Sequence, residues 1–174
     1  MTDRPALGFR AWEWCEDGQN LLSGGRDVVW PHGDEMLYAG CAFGRSHRSP
    51  ARNCSCGVYS ATTLDVVAPY LTPDQPVLGL VYASGLVLEG SEHTLRAERC
   101  RVAAIIAISD VFSLPRDELQ HIAAVYQVPL LLDEHGIRPE DHRRAVREGR
   151  LVTLGLSDEN IKRVVDDWKD EPPK

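Results

Sequence analysis

The chain has 174 residues, 43% of them hydrophobic, and a formal net charge of −7, which suits one domain, or one domain with a helical appendage, built on a real core. The acidic balance argues against a global electrostatic grip on nucleic acid, and no apolar run approaches the ~20 residues of a membrane span. The opening MTDRPALGFRAWEW has no basic segment followed by an apolar one, so no secretory signal is expected and the cytoplasm is the expected location.

The first half reads as β-structure. LGFRAWEW alternates around Phe9, Ala11 and Trp14 and predicts a first strand. GGRDVVW follows a Gly-Gly turn and predicts a second, short one, closed by PHGDE. MLYAG leads into Cys41 and the cysteine segment. ATTLDVVAPYL then predicts a short helix, with Thr62 or Thr63 as its cap and Pro73 beyond its end.

PVLGLVYASGLVLEG and TLRAERCRVAAIIAI predict two long strands. The GSEHT between them has turn chemistry, so the pair is expected to form a hairpin. Gly79 and Gly85 inside the first of the two predict a bulge or sharp curvature.

The last third changes period. SLPRDELQHIAAVYQ places Leu119, Ile122, Ala123 and Tyr126 on one helical face, with Ser113 as cap and Pro115, Asp117 and Glu118 in the first turn. VPLLL predicts a short extended segment. RPEDHRRAVREG and SDENIKRVVDDWKDE predict two further helices, the second with Ile161, Val164, Val165 and Trp168 on one face. The expected fold is therefore α+β: a small, curved, mostly antiparallel β-sheet or barrel over residues 1–110, carrying a metal loop at 41–57. A helical C-terminal region, 111–174, is expected to pack on it.

The chemistry concentrates in CAFGRSHRSPARNCSCG, where Cys41, His47, Cys54 and Cys56 fall within sixteen positions. Disulfides are disfavoured in a reducing compartment, where a tight cluster points to metal or thiol chemistry. Three thiolates and one imidazole satisfy tetrahedral Zn²⁺ in a structural role, and Gly57 is the kind of residue a ligand loop needs to turn backbone N–H groups toward sulfur. Cys-x-Cys departs from the commoner Cys-x₂-Cys knuckle. An iron–sulfur cluster, a redox pair, a low-pKa thiol helped by His47, and ordinary unligated cysteines therefore stay open as alternatives. Cys15 and Cys100 read as core residues.

Trp30-Pro31, Cys41, His47, Pro50, Cys54, Cys56, Gly57 and Tyr59, followed by a glycine-containing hairpin and Arg96-Ala97-Glu98, form a pattern over roughly residues 7 to 108. The pattern resembles a family of small bacterial proteins, common in actinobacteria and on mobile elements. The resemblance implies no activity. Where that family often has a Trp in the first hairpin strand, this chain has Val81-Tyr82-Ala83-Ser84-Gly85.

Arg45, Arg48 and Arg52 sit in the cysteine segment with no acid among them. They predict a local basic patch for an acidic partner, protein or nucleic acid, on a non-enzymatic binding or regulatory module. The alternative is an enzyme using a cleft between the Cys/His loop and the hairpin. Arg96 and Glu98 share one strand face and would act there as anion binder and general base, with Glu89, Glu92, His93 and Tyr59 lining a polar pocket.

Overall fold

Two long strands set the frame of the computed structural model, which describes residues 6–15, 17–24, 28–41, 44, 46–107 and 114–132. β6 (Val77–Glu89) and β7 (Thr94–Ala107) form the predicted hairpin, running from Leu78 opposite Ile106 to Glu89 opposite Leu95. Their ladder shifts register between Leu80 and Val81 and again between Ser84 and Val87. Gly85 sits at the second shift with φ +72°, a conformation that glycine adopts without a steric penalty. The bulge expected from the sequence is therefore there.

β1 (Ala6–Trp14) pairs along β6, with Ala6 opposite Ala83 and Trp12 opposite Val77. Its far end carries β2 (Leu21–Ser23), and β2 carries β3 (Val28–Val29). The free edge of β7 is taken by three short strands in succession. β5 (Val58–Ala61) and β4 (Leu37–Tyr38) run antiparallel to it, and β8 (Leu130–Leu132) runs parallel. β5 also meets β1 at Phe9 opposite Ala61, so β1, β6, β7 and β5 close into a ring. The sheet is mostly antiparallel and curved, as the strand pattern, the hairpin turn and the strand glycines predicted.

Both faces of the sheet are covered, which explains where the periodicity misled. The β1 alternation read from Phe9, Ala11 and Trp14 runs through two faces. Leu7, Phe9 and Ala11 pack on one side with α1 (Leu64–Val67) and with Leu71, just past the 3₁₀ turn Ala68–Tyr70. Trp12 and Trp14 pack on the other, where Trp12 is fully buried. There Trp12 meets Trp30 edge to face at 5.4 Å, a geometry aromatic pairs favour.

That second face is roofed by α2 (Arg116–Tyr126). Its buried residues are the predicted stripe of Leu119, Ile122, Ala123 and Tyr126, and they share one core with the strands. Pro115 stands at the helix start; Ser113, read as the cap, lies outside the described residues. So do both later predicted helices and the Trp168 face. No described helix is long and apolar enough to cross a membrane.

Candidate metal centre

The cysteine loop leaves β7 and returns to it. β4 pairs Leu37 with Cys100 and Tyr38 with Arg99, and the Ala39 N–H donates to the Glu98 carbonyl at 2.7 Å. β5 pairs Val58 with Ala97 and Tyr59 with Arg96. The two ends of the loop thus stand on adjacent residues of one strand, and the chain between them must fold back on itself. This closure brings the four ligands together: the Sγ atoms of Cys41, Cys54 and Cys56 and a ring nitrogen of His47 all lie within 4.8 Å of one another. They are close enough to hold a metal ion.

Individual contacts define the cluster. Cys41 Sγ lies 3.7 Å from Cys54 Sγ. Cys56 Sγ lies 3.9 Å from His47 Nε2. His47 Nδ1 lies 3.0 Å from the Arg48 carbonyl oxygen, which can only accept. That contact makes Nδ1 the protonated nitrogen and leaves the Nε2 lone pair for an ion, the arrangement metal-bound histidines use.

The sulfurs are hydrogen-bonded too. Burial pushes the Cys56 thiol up, but the Ser49 hydroxyl, the Ala51 backbone, Cys54 and His47 outweigh it, and the net direction is down. The Cys56 backbone pulls Cys54 down, yet partial burial and the facing thiols of Cys56 and Cys41 carry it up. His47 is raised, first by the Arg48 carbonyl and then, against burial, by Cys41 and Cys56. Directly after Cys-x-Cys, Gly57 takes φ +132°, a conformation that favours glycine. A Cβ there would stand 3.0 Å from Arg96 Cβ.

Two residues of β7 brace this loop. Arg96 Nη1 reaches the carbonyl oxygens of Ala51, Cys54 and Cys56. Glu98 accepts from Arg48 Nε at 2.8 Å and Nη2 at 2.6 Å, and from the Leu86 backbone N–H at 2.9 Å. Arg48, first, and Leu86 hold its carboxyl down at about 2. The pair suggested for an active site is therefore turned on the metal loop.

The remaining predicted residues scatter. Arg52 is exposed, and Arg45 lies outside the described residues. Cys100 is fully buried, whereas Cys15 is only half-buried. The pocket beside Tyr59 is not lined by Glu89, Glu92 or His93 but by Arg10, Ser23, Tyr38 and Ser55 among others. Sequence reasoning passed over Arg10 and Ser23, which carry no motif, and over Ser49 and Ala51, whose donors serve the cysteines.

No family model, curated protein or solved structure matches the chain.

Proposed function

We propose that this chain is a zinc-stabilised binding module whose metal fixes the 41–57 loop for contact with an acidic partner. The convergence of Cys41, His47, Cys54 and Cys56 carries the reading. A tetrahedron with Zn–S bonds of about 2.3 Å has an S···S edge of about 3.8 Å, and the Cys41–Cys54 separation is 3.7 Å. Four protein ligands leave no position for water, the hallmark of a structural rather than a catalytic zinc. Arg96, which reaches the loop's carbonyl oxygens, suits a site that Zn²⁺ and three thiolates would leave with a net charge of about −1.

The partner surface is the outer side of that loop. Arg52 is exposed and no ion pair holds it among the described residues. Arg48 is 66% exposed even while it holds Glu98, and Arg45 lies between them and Cys41 in sequence. In the enzymatic alternative Glu98 would be a weak base, because Arg48 and the Leu86 N–H already engage its carboxylate and hold it at about 2.

Elemental analysis of the purified chain should return one zinc per molecule, and cobalt substitution should give the absorption of a tetrahedral thiolate site. Cys54→Ser should abolish both. A chain that holds no metal, or a cobalt spectrum without thiolate charge transfer, would overturn the metal reading. Binding of an acidic partner that is insensitive to Arg52→Glu and to salt would overturn the patch.

A further inference from the structure

Among the described residues, Arg10 is a cation with no carboxylate partner. It projects from β1 over the Trp30 ring, 4.9 Å from its centroid. Its Nη1 donates to the Tyr59 carbonyl oxygen and its Nη2 to Ser23 Oγ at 2.9 Å. Its Nε is out of solvent and donates to nothing, and no carboxylate pairs with it among the described residues. Burial drags it down to about 10, so it stays charged at neutral pH. A half-buried charge that faces only neutral groups among the described residues is costly, and a structure that keeps one usually meets it with a counter-charge.

Ser23 adds a second donor. Its oxygen accepts from Arg10 and, at 2.8 Å, from Trp30 Nε1. Both lone pairs are then used, and its own O–H proton is left to donate. Arg10 and Ser23 line a cavity of about 300 Å³, the lower end of the size range of small-molecule sites. Ser55 lines the same cavity, and Tyr38 and Tyr59 line it while standing 65% and 43% exposed. Exposed aromatic rings beside a cationic floor fit a ligand with an anionic end and a planar body, because rings stack on tyrosine faces.

We propose that this cavity binds a phosphate monoester carrying a planar ring, a nucleoside monophosphate in size and chemistry, with the phosphate on Arg10 and Ser23 and the ring against Tyr38 and Tyr59. A tetrahedral oxyanion accepts from several directions at once, which suits a guanidinium and hydroxyls set around one floor. The cavity borders the metal loop, with Ser55, Cys56 and Gly57 in its wall, but Arg10 and Ser23 stand on β1 and β2, and the proposal does not rest on the acidic-partner reading.

Calorimetric titration of the full chain with AMP and UMP, alongside inorganic phosphate and adenosine, tests it. A nucleotide should bind with Kd below about 1 mM, and both the free anion and the uncharged nucleoside should bind more weakly. Arg10→Met, which keeps an unbranched stem but removes the guanidinium over Trp30, should weaken nucleotide binding by about 10- to 100-fold, and Tyr38→Ala by about tenfold. Because a change at Arg10 can disturb the fold, NMR of the unsubstituted chain provides the second measurement. Added nucleotide should move the amides of Ser23, Gly24, Gly40 and Ser55. Absence of nucleotide binding, phosphate binding as tightly as nucleotide, a folded Arg10→Met variant that binds unchanged, or shifts confined to other surfaces would each overturn the proposal.

Discussion

Arg48 and Glu98 meet as a two-pronged pair, Nε to Oε1 at 2.8 Å and Nη2 to Oε2 at 2.6 Å, and so fasten the cysteine loop to the central strand. The same carboxylate takes the Leu86 N–H at the bulge. A Cβ on Gly85 would come within 2.3 Å of Oε2, so the glycine makes room for the bond. Glu98 therefore ties three segments together.

Replacing Glu98 with Gln should lower stability at pH 7 by about 1 kcal/mol, since Arg48 is 66% exposed and solvent screens the pair. The acid dependence has a definite sign. The folded carboxyl sits at about 2 against an ordinary 4.5. Its contribution is full above 4.5 and is lost as pH falls toward 2. Urea unfolding of both proteins across that window should show the gap between wild type and Glu98→Gln closing on acidification. A gap that is constant in pH would mean the carboxylate's charge is irrelevant.

Chelation should loosen the loop and spare the rest. The strands and α2 share one core, and among the described residues of the cysteine segment only Cys56 belongs to the buried hydrophobic set. Metal-binding energy is folding energy where little else holds the chain, and that applies to 41–57 rather than to β6 and β7. Hydrogen exchange with and without chelator should show protection lost in 41–57 and kept in β6, β7 and α2. Global loss of protection would show that the metal supports the whole sheet.

Much of this was legible in the sequence, and the failures have physical causes. The hairpin, the Gly85 bulge and the α2 stripe announced themselves through turn chemistry and periodicity. The four Cys and His side chains that converge in the loop announced themselves through residue type and spacing. β2 (Leu21–Ser23) went unread because three residues carry no period. The alternation around Phe9, Ala11 and Trp14 does not resolve the two faces, because a strand buried on both sides has no polar face to mark it. Arg96 and Glu98 were rightly placed on one face, but nothing local says that the face is covered by the returning loop. That depends on β4 and β5 both landing on β7, a long-range fact.

Gly57→Ala should damage the metal site specifically. The residue holds φ +132°, and the new methyl would stand 3.0 Å from Arg96 Cβ and 3.2 Å from Pro50 Cβ. Strain of this kind costs about 1–3 kcal/mol, and relieving it moves Cys56, its neighbour. Lower thermal stability and weaker metal binding are expected together. Gly40→Ala is the comparison, because a methyl there meets nothing within 4 Å; it should stay within about 0.5 kcal/mol of wild type. Equal behaviour of the two variants would show that the loop tolerates a side chain at 57.

Tyr126 links α2 to the far end of the sheet. Its ring is fully buried. Its hydroxyl accepts from the Leu21 N–H at 2.7 Å and donates to the Trp30 carbonyl oxygen at 3.1 Å. Tyr126→Phe leaves both backbone groups buried without their partner, a loss of about 1–3 kcal/mol. Burial pushes the phenol up to about 12 from an ordinary 10, which gives a second, independent signature. Between pH 10 and 12 the unfolded chain has released this proton while the folded chain keeps it, so stability falls as pH rises through that window. Tyr126→Phe has no such proton to lose. In denaturant titrations the variant should be the weaker protein at pH 8, and the difference should shrink as pH rises above 10. If the two unfolding curves stay parallel in pH, the hydroxyl does not keep its proton in the fold, and the link between helix and sheet rests on the ring alone.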